Sequence, residues 1–208
     1  MPRQHSLLAL CLAALFAAAP TVAAPILGTP ADAAVSRANS NAWMEIDTQA
    51  FEHNIRTLQN ELGGKSQICA IMKADAYGNS IDLLMPVVMQ TGIPCIGIAS
   101  NEEARIIRKH GYAGKVVRVR SATDAEIRDG LQYDMEELIG NLEQARRVDE
   151  IARAAGKTVR IHLALNSGGM DRNGLDMGSR ANRRAAVAIT RLPHLQTEAI
   201  MTHFPVEE

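Results

Sequence analysis

The segment KADAYGN, Lys73 to Asn79, follows the apolar run ICAIM. A lysine at the end of a buried strand is either a solvated strand end or an amine placed where it can react. Cys69 and Ile71 share its face, because side chains alternate along a strand. Such surroundings disfavour the ammonium form, and an amine so prepared can condense with an aldehyde. Tyr77 can offer its hydroxyl to an anion or stand as a rim aromatic, and Gly78 allows a tight turn. Arg172, in GGMDRNG, lies among Gly168, Gly169 and Gly174. It is a planar fork suited to a carboxylate or phenolate, or an ordinary surface turn. His203, in MTHF, can stack on a heterocycle or donate a hydrogen bond. Metal ligation is not expected, since no second ligand stands at metal spacing from it. No serine-nucleophile motif and no P-loop is found.

These candidates, with Ser100, fall just past the ends of expected strands. AWMEID reads as a first short strand. Asp47 caps a helix through Phe51, Ile55, Leu58 and Leu62, closed by Gly63 and Gly64. QICAIMK, PCIGIAS, KVVRVRS, EELIG, TVRIHLAL and LQTEAIMTH read as six further strands. Helices are expected around IDLLMPVVMQTG, with Pro86 disturbing its register, and after Ser100, Thr123 and Asn141. The first two of those caps form capping boxes with Glu103 and Glu126. A last helix is expected over Arg180 to Arg191. Regular alternation of strand and helix implies a parallel sheet with helical crossovers. An open doubly wound sheet and an eight-fold β/α barrel both fit, and both build sites at the C-terminal strand ends. The lack of G-x-G-x-x-G after the first strand weakens a dinucleotide reading. The sixth of these strands has no helix after it, so the chain is expected to be an incomplete barrel.

The 208 residues suffice for one sizeable core, and a hydrophobic share of 47% marks a globular chain. A net charge of −1 gives no footprint for nucleic acid or an anionic membrane. At the N-terminus, MPRQH is followed by the apolar run SLLALCLAALFAAAP and the small residues of TVAA. Residues 1–24 are expected to be a secretory signal, 25–41 a flexible arm and 42–208 the incomplete barrel domain. Export to the periplasm, with no membrane contact after cleavage, bears on Cys69 and Cys95, which lie in consecutive strands. A disulfide between them is favoured over two small buried hydrophobes.

Together KADAYGN, IASNEEARIIRKHG, GMDRNG and AIMTHF resemble, in order, motifs of the alanine racemase family, the fold type III enzymes that use pyridoxal 5′-phosphate. The resemblance runs from about Trp43 to the end and implies an (β/α)8 TIM-type barrel. It also implies that Lys73 holds the cofactor and serves as one catalytic base. Tyr77 would contact the cofactor phosphate, Arg172 its phenolic oxygen and the substrate carboxylate, and His203 the pyridine ring. The family's second base is a tyrosine on the partner subunit's C-terminal β domain, so a homodimer is implied for the full-length form. These 208 residues alone are expected to be inactive. The family lysine before the glycine loop is replaced by Ala164 or Leu165, its Asp by Asn166, and Asn79 follows Gly78. Those departures resemble the periplasmic broad-specificity amino-acid racemases, which accept lysine, arginine and smaller amino acids. A decarboxylase of basic amino acids and a non-catalytic cofactor-binding protein are the alternatives.

Overall fold

The computed structural model describes residues 38–167 and 173–204. The expected leader, most of the arm and Arg172 lie outside the described residues. A helix over Thr48–Leu62 (α1) opens on Asp47, whose carboxylate accepts from the amides of Gln49 and Ala50, and closes on left-handed Gly63. Strand Cys69–Ile71 (β1) leads into a short turn over Lys73–Tyr77 (α2) and helix Ile81–Gln90 (α3). Then come Cys95–Ile98 (β2), Asn101–Lys109 (α4), Lys115–Arg118 (β3), Asp124–Gly130 (α5) and Glu136–Ile139 (β4). Leu142–Ala154 (α6), Val159–Ala164 (β5), Arg180–Ile189 (α7) and Leu195–Met201 (β6) complete the described order. Both expected capping boxes form, Ser100 with Glu103 and Thr123 with Glu126.

The six strands make one parallel sheet in sequence order, β1 to β6. This is the arrangement of consecutive β/α barrel units rather than a doubly wound sheet, whose strand order reverses at a switch point. Among the described residues the sheet stays open between β1 and β6. Its outward face packs on the helices in two clusters. One gathers Ile96, Ile98, Met85, Val88 and Ile107 around β2, α3 and α4. The other gathers Ile139, Ile161, Leu163, Val148 and Ile189 around β4, β5, α6 and α7.

Two expectations about elements are corrected. Residues 42–47 form no strand, and Trp43 and Met44 stand 56% and 63% exposed. The alternating pattern is present there, but the segment belongs to no ladder of the described sheet, and alternation alone cannot make a strand. Pro86 does not break α3, which runs unbroken from Ile81 to Gln90. Proline inside a helix costs about 3 kcal/mol. Burial of Ile81, Leu84, Met85, Val87 and Val88 on one face offsets it.

Between the sheet and its helices lies one polar knot. The guanidinium of Arg118, fully buried on β3, donates to Glu137 at 2.8 Å, to the carbonyl of Ala99 at 3.2 Å and to Asn101. Burial pushes the Glu137 carboxyl up, opposed by Arg118. Gly130 makes room for it, since a Cβ there would lie 3.3 Å from the guanidinium. The pair joins β3, β4 and the start of α4. It sits on the outer face of the sheet, opposite to the face that carries Val117 and Leu138. Among the described residues, no helix is long and apolar enough to cross a membrane.

Candidate active site

Lys73 stands two residues beyond β1, in backbone of unusual hand. Ala74, Asp75, Ala76 and Tyr77 all take φ of 52–57°, a single turn of left-handed helix. Each such residue costs about 1–2 kcal/mol, so the surroundings must hold it. They do so with hydrogen bonds. The Ala76 amide donates to the carbonyl of Met72 at 2.8 Å, and that of Gly78 to Ala74 at 2.9 Å. The side chain of Asn79 donates to the carbonyl of Ala76 at 2.8 Å. The carboxylate of Asp75 accepts from the Ile81 amide at 2.7 Å, fastening the turn to α3. Glu103 works from the other side, accepting from the amides of Ala99, Ser100 and Asp75 at 2.7, 3.0 and 3.4 Å. One buried carboxylate thus ties the end of β2, the start of α4 and the lysine turn together.

The turn delivers Lys73 and Tyr77 to a cavity of about 530 Å³ on the inner face of the sheet. The amine lies 5.7 Å from the centre of the Tyr77 ring, within the range of a cation–π contact. Arg120, His162, Asn173 and His203 line the same cavity, with apolar walls from Ile71, Val117, Leu138 and Met201. Lys73, Tyr77 and His203, singled out from the sequence, line one hollow together with Cys69 and Ile71. Lys73 is half-buried and Tyr77 is 62% exposed, so the amine is less enclosed than its apolar neighbours suggested. Ser100 is not a site residue: its hydroxyl accepts from the Glu103 amide and caps α4. Arg172 lies outside the described residues.

Three residues escaped the sequence reading. Arg120 is held by Glu126, whose carboxyl is brought down to about 2, first by that hydrogen bond and next by the Thr123 amide. The capping box signalled Glu126, but nothing in the spacing signalled an arginine six residues earlier. Asn173 fits because Gly140 has no side chain; a Cβ there would lie 2.3 Å from its Oδ1. Gly174, at φ 105°, was expected to let backbone approach a ligand. Here it approaches the chain itself, since a Cβ would lie 2.7 Å from the carbonyl of Ala164. The Asn166 amide donates to the carbonyl of Leu175 at 3.0 Å, and the Leu175 amide to that of Ala164 at 2.9 Å, which fastens both ends of that loop. His162, mid-strand in β5, was read only as part of an apolar alternation.

Cys69 and Cys95 are joined by a disulfide, directly opposite each other in the β1–β2 register. The bridge forms beside the cavity, and Cys69 lines it. A second hollow of about 530 Å³ lies behind β1, against α1, lined by Phe51, Ile55, Leu58, Ile68 and Met72. Its lining is mainly apolar, with Glu45, Asp47, Asn54 and Asn79 also on its wall. Among the described residues no cluster of His, Cys, Asp and Glu could hold a metal ion.

Residues 46–208 match the family described as alanine racemase, N-terminal domain. The chain belongs to that family. A broad specificity amino-acid racemase of Pseudomonas taetrolens is 54% identical over 209 residues, spanning all of this chain and 51% of the relative. A lysine racemase of Proteus mirabilis is 41% identical over 169 residues, covering 81% and 42%. The chain therefore spans about half the length of the curated relatives it matches. Alanine racemase of Clostridium difficile 630, in complex with cycloserine, superposes with a TM-score of 0.70 at 23% identity, over 77% of this chain and 43% of that one. Alanine racemase of the D-cycloserine producer Streptomyces lavendulae gives 0.66 at 28%, over 76% and 41%. The alanine racemase fold, here six consecutive parallel strands with helical crossovers, is the architecture that brings Lys73 to the mouth of the cavity.

Proposed function

We propose that the full-length protein racemises free amino acids with pyridoxal 5′-phosphate, and that this chain supplies the lysine-bearing part of the site. The observation that carries the reading is Lys73 itself, an amine at the mouth of a cavity in an alanine racemase-type sheet. The donor set fits the cofactor: one amine for its aldehyde, a phenol and an arginine for its oxyanions, and an imidazole beside a flat ring. The cofactor supplies an electron sink that makes the substrate's α-proton removable.

The chain's own residues do the rest. Lys73 Nζ would hold the cofactor and move the proton on one face of the α-carbon. Tyr77 would offer its hydroxyl to the phosphate. Arg172, by its place in the family loop, would hold the phenolic oxygen and the substrate carboxylate. His203 would support the ring. Racemisation needs a second acid on the opposite face, and the family tyrosine of a partner subunit fills that role in a homodimer. Broad specificity, with lysine among the substrates, is supported by the names of the Pseudomonas and Proteus relatives; arginine and smaller amino acids such as alanine belong to the same proposal. Action in the periplasm is supported by the apolar N-terminal run and by the Cys69–Cys95 disulfide, a bond that persists in oxidising compartments.

The test is Lys73→Ala in the full-length protein. The variant is expected to lose the visible band of the bound cofactor and all interconversion of L- and D-lysine. Borohydride treatment of the wild type followed by mass spectrometry is expected to label Lys73. Normal turnover in the variant, or a label on another residue, overturns the assignment. Release of carbon dioxide from L-lysine points instead to a decarboxylase. A bound cofactor with no change in optical rotation points to a binding protein.

A further inference from the structure

We propose that His162 is a binding residue on the floor of the cavity and that Glu136 is the positioning residue that aims it. Glu136, on β4, is 1% exposed and faces the interior of the sheet. A carboxylate so deep must be satisfied or it destabilises the fold. Its hydrogen bond goes to His162 Nε2, at 2.5 Å. Arg160 approaches to 3.6 Å, but its Nε makes no hydrogen bond among the described residues, and its Nη2 turns to Asp134 at 3.0 Å. Glu136 therefore holds one ring in one orientation.

A purely structural role explains this poorly. The walls around His162 are Ile71, Val117, Leu138 and Met201, and an apolar pair would fill the same space without burying charge. The backbone is irregular at the same level. Ile161 pairs with Thr197 but His162 pairs with Ala199, so Glu198 is an extra residue in β6. Bulges of this kind re-aim side chains next to active sites. Lys73, Arg120 and His203 line the same cavity as the ring, and Lys115 and Glu198 pair with each other at 4.0 Å.

The geometry fixes what the ring can offer. In its neutral form Nε2–H donates to Glu136, which leaves Nδ1 with a bare lone pair. Nδ1 has no hydrogen-bond partner among the described residues, and the ring opens on the cavity. It accepts a hydrogen bond from the cavity's occupant, directly or through one water. That the occupant is pyridoxal phosphate rests on the reading above; the aiming of His162 by Glu136 does not.

The test uses the full-length protein and the variants His162→Phe, His162→Gln and Glu136→Gln. In the cofactor-free wild type, side-chain nitrogen NMR is expected to place the His162 proton on Nε2, and Glu136→Gln is expected to remove that preference. An unchanged ring signal in Glu136→Gln overturns the positioning role. His162→Phe is expected to lower the melting temperature, because it leaves the buried Glu136 carboxylate without its donor, and to weaken pyridoxal phosphate binding about five- to tenfold, the worth of one hydrogen bond. His162→Gln is expected to restore most of that affinity. A phenylalanine variant that binds like wild type, with the same visible band across pH, overturns the binding role. If His162→Phe does not fold, Glu136→Gln decides: unchanged cofactor affinity there overturns the proposal. A wild type that takes up no pyridoxal phosphate defeats the racemase reading, while the NMR result still judges the pair.

Discussion

Glu126 sits half-exposed at the start of α5, yet its carboxyl is held down to about 2 by the Arg120 guanidinium and the Thr123 cap. A carboxyl whose folded-state value lies below 4.5 adds stability that is full above about pH 4.5 and is lost as pH falls toward 2. Solvent screening keeps that contribution small. We expect carbon NMR to show Glu126 titrating well below the ordinary carboxylate range, and Arg120→Ala to raise its midpoint. An unchanged midpoint means that the cap alone holds the carboxyl down and that Arg120 is free to swing into the cavity. At the same scale, Glu103 shows how one side chain can serve three masters, because its two oxygens accept from three amides on two elements.

Among the elements, the lysine turn is the least ordinary and depends most on its neighbours. Removing the Asp75 carboxylate leaves the Ile81 amide without its 2.7 Å acceptor. Asp75→Ala is expected to cost about 1–3 kcal/mol, read as a fall of about 2–4 °C in melting temperature per kcal/mol. Cofactor affinity is expected to fall with it, because the same turn carries Lys73. A variant that melts earlier but binds the cofactor unchanged shows that the turn is not what aims the amine. The turn also marks where the sequence stops being legible. Caps, glycine stops and strand runs can be read because they follow local rules: Asp47, Ser100, Thr123 and Asn141 all cap as expected. Four successive non-glycine residues in left-handed backbone break those rules. Contacts from Met72 and Asn79 close by, and from Glu103, 28 residues on and absent from any local window, sustain them. The same reasoning explains why Lys73, Tyr77 and His203 were visible and His162 was not. The first three sit past strand ends, where chemistry is sought, whereas His162 hides in the alternation of β5 and acquires its meaning from Glu136, 26 residues earlier.

For the molecule as a whole, the Cys69–Cys95 bridge joins the first two strands of the described sheet across a separation of 26 residues. Closing a loop of that size stabilises a fold by about 3–4 kcal/mol in the chain-entropy account. Cys69→Ala with Cys95→Ala is expected to lower the melting temperature of the oxidised protein by about 6–16 °C at the 2–4 °C per kcal/mol expected of its size. The double variant is also expected to abolish the shift seen when a dithiol is added to wild type. Equal melting with and without dithiol in the wild type argues that the bridge contributes nothing to the fold. The strand order carries a wider consequence. Every ladder of the described sheet joins strands that are neighbours in the chain, so among these six strands none has to wait for a distant partner to emerge. A polypeptide leaving a ribosome or a translocation pore can therefore lay down its sheet in the order in which it appears. The covalent staple belongs to the earliest pair, and once oxidised it leaves a fastened margin on which the later units are added.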